Sequence, residues 1–317
     1  MTNIAELAPQ LPELPVAVIG SLSPSRAADF KTCPLLYRFR SIDRLPEPPN
    51  RDALRGTLVH AVLERLYDLP AAERTLERAE ASVEPAWQQL LADQPELAEL
   101  FAESDDTVLA GWLASARRLV ANYFVLEDPT RLEPAAREEL VEVVLDGLRL
   151  RGYIDRVDVS QAGDIRIVDY KTGTIPREAF EAKALFQMKF YALVLWRTRG
   201  VVPRQLRLIY LADIDTLSYQ PTEDELARFE KTLQAIWKAI AKASLTGDFR
   251  PSPSRLCDWC SHQQLCPAKG GTPPPFPADA LASASAERAG RSQTERHDPA
   301  STGSDAQHGQ SGQTPIG

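Results

Sequence analysis

Gly152-Tyr153-Ile154-Asp155-Arg156-Val157-Asp158 and, beyond a short polar turn, Asp169-Tyr170-Lys171 are the two stretches on which this chain turns. Apolar residues alternate over 148–159 and again over 164–171, and Gln161-Ala162-Gly163 supplies turn chemistry between them, so the pair reads as an antiparallel hairpin. Side chains along a strand alternate between its two faces, which puts Asp169 and Lys171 on one face and Tyr170 on the other. Asp155 and Asp169 offer the hard oxygen ligands that Mg²⁺ and Mn²⁺ prefer. A cation held there acidifies water toward a nucleophile. Lys171 adds a compact positive charge where a phosphate under attack gathers negative charge.

Three further signals surround this pair. Arg55-Gly56-Thr57-Leu58-Val59-His60-Ala61-Val62-Leu63-Glu64 reads as a helix that carries His60 into an apolar face. Of the four histidines, His262 lies among cysteines and His297 and His308 lie in a polar tail, so His60 stands alone in the folded body. Glu64, one turn later, is placed to orient its imidazole. Gln187 and Tyr191 fall four apart in a helical run over 178–199 and share one of its faces. Asp158 reads as a structural partner of Arg156 or of a neighbouring strand.

The cysteines are split one against three. Cys257, Cys260 and Cys266 sit in a short proline-flanked loop whose spacing fits either zinc or an iron–sulfur cluster. Cys33 ends a short helix that Ser23 caps and Pro24 begins, and Pro34 is expected to stop that helix. Zinc with His262 in place of Cys33 is the alternative ligand set. Structural disulfides suit a cytosolic chain poorly.

In order, G-T-x-x-H from Gly56, G-x-x-D-R-x-D from Gly152, D-x-K from Asp169 and Q-x-x-x-Y from Gln187 resemble the RecB-like branch of the PD-(D/E)xK nucleases. The cysteines at both ends resemble its iron–sulfur subgroup, which holds Cas4 and the AddB-type nuclease domains. The resemblance spans about 21 to 267. It implies an α/β, restriction-endonuclease-like core, a mixed central sheet flanked by helices. It also implies roles: His60, Asp155, Asp169 and the Tyr170 carbonyl as ligands of Mg²⁺ or Mn²⁺, Lys171 as the catalytic lysine, and Gln187 and Tyr191 lining the site to contact DNA or position the lysine. Cys33, Cys257, Cys260 and Cys266 would bind a [4Fe–4S] cluster that clasps the two ends of the domain. The acid of the third motif is Asp169, where many relatives carry Glu.

The implied activity is metal-dependent exonucleolytic hydrolysis of DNA, on single strands or duplex ends, in repair or recombination. A Cas4-like adaptation nuclease and a non-catalytic nucleic-acid-binding or scaffold module are the alternatives. No phosphate-binding G-x-x-x-x-G-K-[ST] loop occurs, so strand separation would fall to a helicase or other repair partner. The 317 residues, 44% hydrophobic, suffice for one sizeable domain. The expected organisation is an irregular leader over 1–20, the nuclease domain over 21–268 with a helical insert over about 71–127, and a disordered tail over 269–317. No apolar run of about 18 residues occurs, and 15–19 is too short an apolar patch for a signal peptide, which predicts a cytoplasmic protein without membrane contact. The net charge of −8 sits awkwardly with a polyanionic substrate. The expected remedy is a local basic groove from Arg26, Lys31, Arg38, Arg40, Arg44, Arg51 and Arg55 near the first motifs.

Overall fold

Period-two apolar runs become strands and the longer 3.6-period runs become helices. The computed structural model describes residues 20–277 other than 103, 176 and 177, together with 279, 280 and 282. In chain order it has β1 (Gly20–Leu22), α1 (Pro24–Thr32), α2 (Pro34–Tyr37), a π turn over Arg38–Ile42, α3 (Arg51–Leu66), α4 (Leu76–Ala81), α5 (Val83–Asp93) and α6 (Asp106–Leu126). Then come β2 (Ala136–Leu145), β3 (Leu148–Val159), β4 (Ile165–Lys171), α7 (Glu178–Arg199), β5 (Gln205–Tyr210), β6 (Asp215–Tyr219) and α8 (Glu223–Thr246).

The six strands form one mixed sheet in the order β1-β3-β4-β5-β6, with β2 paired to β3 off that path. Asp146 and Gly147 both have positive φ, 50° and 82°, as a two-residue hairpin turn requires, and they fix the β2–β3 register. β2 occupies one edge of β3 over almost its whole length. The other edge is shared: β1 runs parallel to Leu148–Leu150, and β4 runs antiparallel from Arg156 onward. β5 adds parallel to β4, and β6 closes the far side antiparallel to β5.

Helices cover both faces. One core joins Leu22, Leu150, Ile154, Ile167 and Leu208 to Phe190 and Leu193 of α7 and Leu233 and Ile240 of α8. The other joins Val168, Tyr170 and Ile209 to Leu58, Val62, Trp87, Trp112 and Tyr123 of α3, α5 and α6. The helical insert is therefore a structural layer of the sandwich, since its apolar stripes are spent on the sheet. Burying such a face supplies most of the stability of a helix in a protein.

Two expectations need correction. Cys33 is extended, at φ −161°, and Pro34 begins a new helix instead of merely stopping the old one. Proline suits that first-turn position because its missing N–H would have no partner there. The stretch after 269 also begins in packed form. The Arg38 guanidinium donates to the Pro274 carbonyl at 2.6 Å, and the Phe276 ring lies 6.1 Å from that of Phe249. The rest of the expected tail, apart from 279, 280 and 282, lies outside the described residues, as does the leader before Gly20. Among the described residues no helix is long and apolar enough to cross a membrane.

Candidate active site

The site forms where the β3–β4 ladder stops. Its last pair is Arg156 with Val168, so Asp155 and Asp169, the next rung, are not paired with each other. The Tyr170 N–H at this opening donates to Asp155 Oδ2 at 2.8 Å. Asp169 and Lys171 share a face as expected, with Nζ 2.6 Å from Asp169 Oδ2. The Lys171 ammonium also donates to Gln187 Oε1 at 3.0 Å, and the Gln187 amide donates to the Tyr191 hydroxyl at 3.2 Å. Tyr170 turns to the opposite face, where Arg156 Nη1 donates to its hydroxyl at 2.7 Å. From α3, His60 brings Nε2 to 2.9 Å from the Tyr170 carbonyl oxygen and Nδ1 to 3.5 Å from Asp155 Oδ2. The fold thus assembles His60, Asp155, Asp169, Tyr170, Lys171, Gln187 and Tyr191 from two strands and two helices.

The motif glycines are close-approach residues. A Cβ on Gly152 would stand 2.7 Å from Cε1 of Tyr191, so this glycine lets the ring of α7 lie on β3. A Cβ on Gly56 would meet Thr172 Oγ1 at 3.2 Å, just past Lys171. Tyr191 is buried, and with its ring packed on Gly152 it is unsuited to be the base-stacking surface that an exposed aromatic would offer. Its hydroxyl accepts from the Gln187 amide, whose oxygen accepts from Lys171.

Burial and crowding of acids set the charges. Burial pushes the Asp155 carboxyl up to about 7, Asp169 and Glu138 add to the rise, and the cations of His60 and Lys171 oppose it. For His60, burial works against the cation, but Asp155, Glu138 and Asp169 outweigh it and raise the imidazole to about 9. Lys171 is likewise raised, because Asp169 and Asp155 overcome its burial. Burial foremost, and then Asp169, keeps the Tyr191 hydroxyl protonated.

These donors fit a hard divalent cation. Among the described residues, ligand atoms of His60, Glu138 and Asp155 lie within 4.8 Å of one another. The 2.9 Å between His60 Nε2 and Tyr170 O matches the roughly 3 Å between neighbouring ligands of an octahedral ion with bonds of about 2.1 Å. Glu138, with Oε1 3.8 Å from His60 Nδ1, is an acid that sequence reasoning missed. That reasoning set Glu64 against the ring. The signal was the register: counting back from the Asp146-Gly147 turn places Glu138 across from Asp155.

Behind the site, Arg156 is buried. Its guanidinium pairs with Glu127 at 2.7 Å and Asp158 at 3.1 Å, and donates to Tyr67 at 3.2 Å. Asp158 also pairs with Arg166 at 2.8 Å, so its structural reading stands.

One loop touches cysteines from both ends of the domain. Ser252 N–H points to Cys33 Sγ at 3.4 Å and Ser254 N–H to Cys257 Sγ at 3.3 Å, so one short loop contacts the first cysteine and the C-terminal set. None of the four is in a disulfide. His262 Nε2 is 3.0 Å from Glu47 Oε1, and its ring meets Phe39 edge-on, which seats the cysteine loop on the N-terminal segment.

The expected basic groove is not what the arginines form. Arg26 donates to the Tyr37 hydroxyl, Arg38 pairs with Asp43, Arg40 with Asp29 and Glu47, and Arg55 with Asp52. Arg51 donates to the Leu100 carbonyl, and Lys31 lies 4.4 Å over the Phe186 ring. Counting charges along the sequence misled because the fold brings a partner to six of these seven cations, Arg26, Lys31, Arg38, Arg40, Arg51 and Arg55.

Residues 21–267 match the model of the PD-(D/E)XK nuclease superfamily. The chain belongs to that superfamily. Gene 69 protein of Mycobacterium phage D29 is 26% identical to the nuclease over 277 residues, 77% of this chain and 96% of the phage protein. Gene 69 protein of Mycobacterium phage L5 is 31% identical over 129 residues, 39% of this chain and 42% of that relative. A crystal structure of a candidate exonuclease from Eubacterium rectale overlays the nuclease with a TM-score of 0.48 at 13% identity, covering 77% of this chain and 88% of that one. Nucleases of this superfamily use divalent metals, in accord with the donor set on β3, β4 and α3.

Proposed function

We propose that the nuclease is a metal-dependent DNA exonuclease that acts on single strands or duplex ends in repair or recombination. The observation that carries the catalytic part is the convergence of His60, Asp155, Asp169 and the Tyr170 carbonyl on one opening in the sheet, with Lys171 beside them. Those four groups would hold Mg²⁺ or Mn²⁺. When bound, the cation supplies Lewis-acid activation of water and of the phosphoryl oxygens. Lys171, fixed by Asp169 and Gln187, presents its ammonium to the negative charge that develops on the attacked phosphate. Tyr191 holds Gln187 in place. A binding module without chemistry has no use for a lysine steered by two side chains beside a cluster of acids.

The preference for DNA and for ends follows the family resemblance. With a net charge of −8 and its N-terminal arginines paired internally, the protein would bind DNA modestly, with strong salt dependence, and rely on a helicase or other repair partner for strand separation. The direct test is digestion of end-labelled single-stranded DNA, duplex DNA, closed circles and RNA with Mg²⁺, Mn²⁺ or EDTA. Metal-dependent loss of linear DNA with circles intact is the expected result. Cutting of circles would remove the exonuclease assignment, and inertness toward every substrate would remove the catalytic one.

Cys33, Cys257, Cys260 and Cys266 would bind a [4Fe–4S] cluster as a clasp. Two backbone N–H groups already aim at sulfurs from both ends of the domain, as the thiolates of a cluster accept. Cys33→Ala should lose iron and weaken DNA binding. Full iron retention would contradict the clasp.

A further inference from the structure

On the reading that a divalent cation sits beside His60, we propose that Glu138 is the positioning residue of that histidine. Its carboxylate accepts the Nδ1 proton and so presents the Nε2 lone pair to the cation next to the Tyr170 carbonyl.

The backbone is built to deliver this acid. Along a regular strand neighbouring side chains face opposite ways. On β2, however, Arg137 and Glu138 both reach α3: Arg137 donates to the Glu64 carbonyl and pairs with Asp68, while Glu138 faces His60. Glu139 then resumes the alternation and pairs with Arg199 of α7 on the other side of the sheet, at 2.9 Å. The break is made at Glu138 itself, whose φ of +43° is one that side chains other than glycine rarely adopt.

The opposite rung breaks in the same way. Ile154 and Val157 both enter the core beneath α7, while Asp155 and Arg156 both turn toward α3 and its neighbours. Two strands lose their alternation at one rung, and the two acids of that rung meet one imidazole. Strain of this kind persists where the surrounding structure enforces it, and it concentrates at functional sites.

The division of labour between the acids follows from their other contacts. A ligating histidine uses one ring nitrogen, and its second N–H is characteristically taken by a carboxylate that fixes the tautomer and strengthens the ligand. Two carboxylates face Nδ1. Asp155 Oδ2 already accepts the Tyr170 N–H, and that carboxylate is also a cation ligand on this reading. Glu138 Oε1, at 3.8 Å, is left to serve Nδ1. It does on strand β2 what Glu64 was expected to do one helical turn along α3.

The test compares wild type, Glu138→Gly, Glu138→Gln and His60→Ala, with Mn²⁺ affinity read by electron paramagnetic resonance. His60 ring-nitrogen chemical shifts are read with Mg²⁺, and melting temperature is followed throughout. Glycine suits a positive φ, so Glu138→Gly should melt at or above the wild-type temperature. Its Mn²⁺ dissociation constant should nevertheless rise by about 10–100-fold, and the His60 ring should populate both tautomers. Glu138→Gln keeps an acceptor without its charge and should fall between; it decides the matter if the glycine variant does not fold. A dissociation constant and tautomer like wild type in both variants would overturn the positioning role. If His60→Ala also binds Mn²⁺ like wild type, the metal-site reading fails with it; if only His60→Ala loses binding, that reading survives and the role of Glu138 alone falls.

Discussion

Asp155 accepts the Tyr170 N–H at 2.8 Å, so an acid of the first strand motif braces the main chain of the second. Tyr170 is held at three points by two motifs: its N–H by Asp155, its hydroxyl by Arg156 and its carbonyl by His60. The residue between the acid and the lysine of D-x-K is therefore a hub. Its carbonyl is aimed at the site because its side chain is anchored on the opposite face.

That anchor should be expensive to remove. Arg156→Ala leaves the Glu127 carboxylate buried without its main partner and frees the Tyr170 hydroxyl. The expected loss is about 3–5 kcal/mol of unfolding free energy by denaturant titration. Glu127 is held below the usual carboxylate range because Arg156 and Arg207 outweigh its burial. Its contribution is thus present at neutral pH and is lost as pH falls through its lowered value, so the acid limb of the stability curve should flatten in the variant.

Gly152→Ala would set a methyl group against the Tyr191 ring. Overpacking of this kind costs about 1–3 kcal/mol. Because the displaced ring holds Gln187, activity should fall beyond what the stability loss explains, and assays well below the melting temperature will show it.

Gln187→Ala removes a hydrogen bond to a charged group, worth about 1.5–3 kcal/mol, from the lysine. If that bond matters most in the transition state, kcat should drop by about 10–100-fold with KM for DNA little changed. Tyr191→Phe, one bond further away, should do less. A rise in KM alone would assign both residues to DNA binding.

Metal binding should tighten as pH rises. Asp155 and His60 both hold protons more firmly in the metal-free fold, at about 7 and about 9 against 3.8 and 6.5 for the ordinary side chains. Folded values above the unfolded ones mean that metal-free stability falls with rising pH, over about 4–7 for the carboxyl and 6.5–9 for the imidazole. A cation replaces those protons. The gain in melting temperature from Mn²⁺ should therefore be larger at pH 8.5 than at pH 6, and calorimetry in buffers of different ionisation heat should show proton release. An equal gain at both pH values would contradict the shared site.

Much of this was legible in the sequence because the decisive features are local. The D-x-K face follows from strand period, and β3 and α7 fall at the positions their apolar patterns mark. What escaped depends on contacts between distant segments. β1 is three residues long and exists because Leu148–Leu150 offers it an edge. β6 follows a tight turn with Ile214 at φ +53°, for which its sequence carries no glycine signal. Glu138 belongs to no motif spacing and reaches His60 through register and a kink. The N-terminal arginines looked like a groove until the acids beside Arg38, Arg40 and Arg55 were in view.

The central claim is that Lys171 performs chemistry at a metal site it does not itself form. The most direct measurement is hydrolysis of end-labelled single-stranded DNA by wild type and Lys171→Ala, with Mn²⁺ binding measured on the same preparations. The account predicts metal-dependent cleavage by wild type and a loss of at least about 100-fold in the variant, with Mn²⁺ binding retained. Cleavage by Lys171→Ala at the wild-type rate would contradict it.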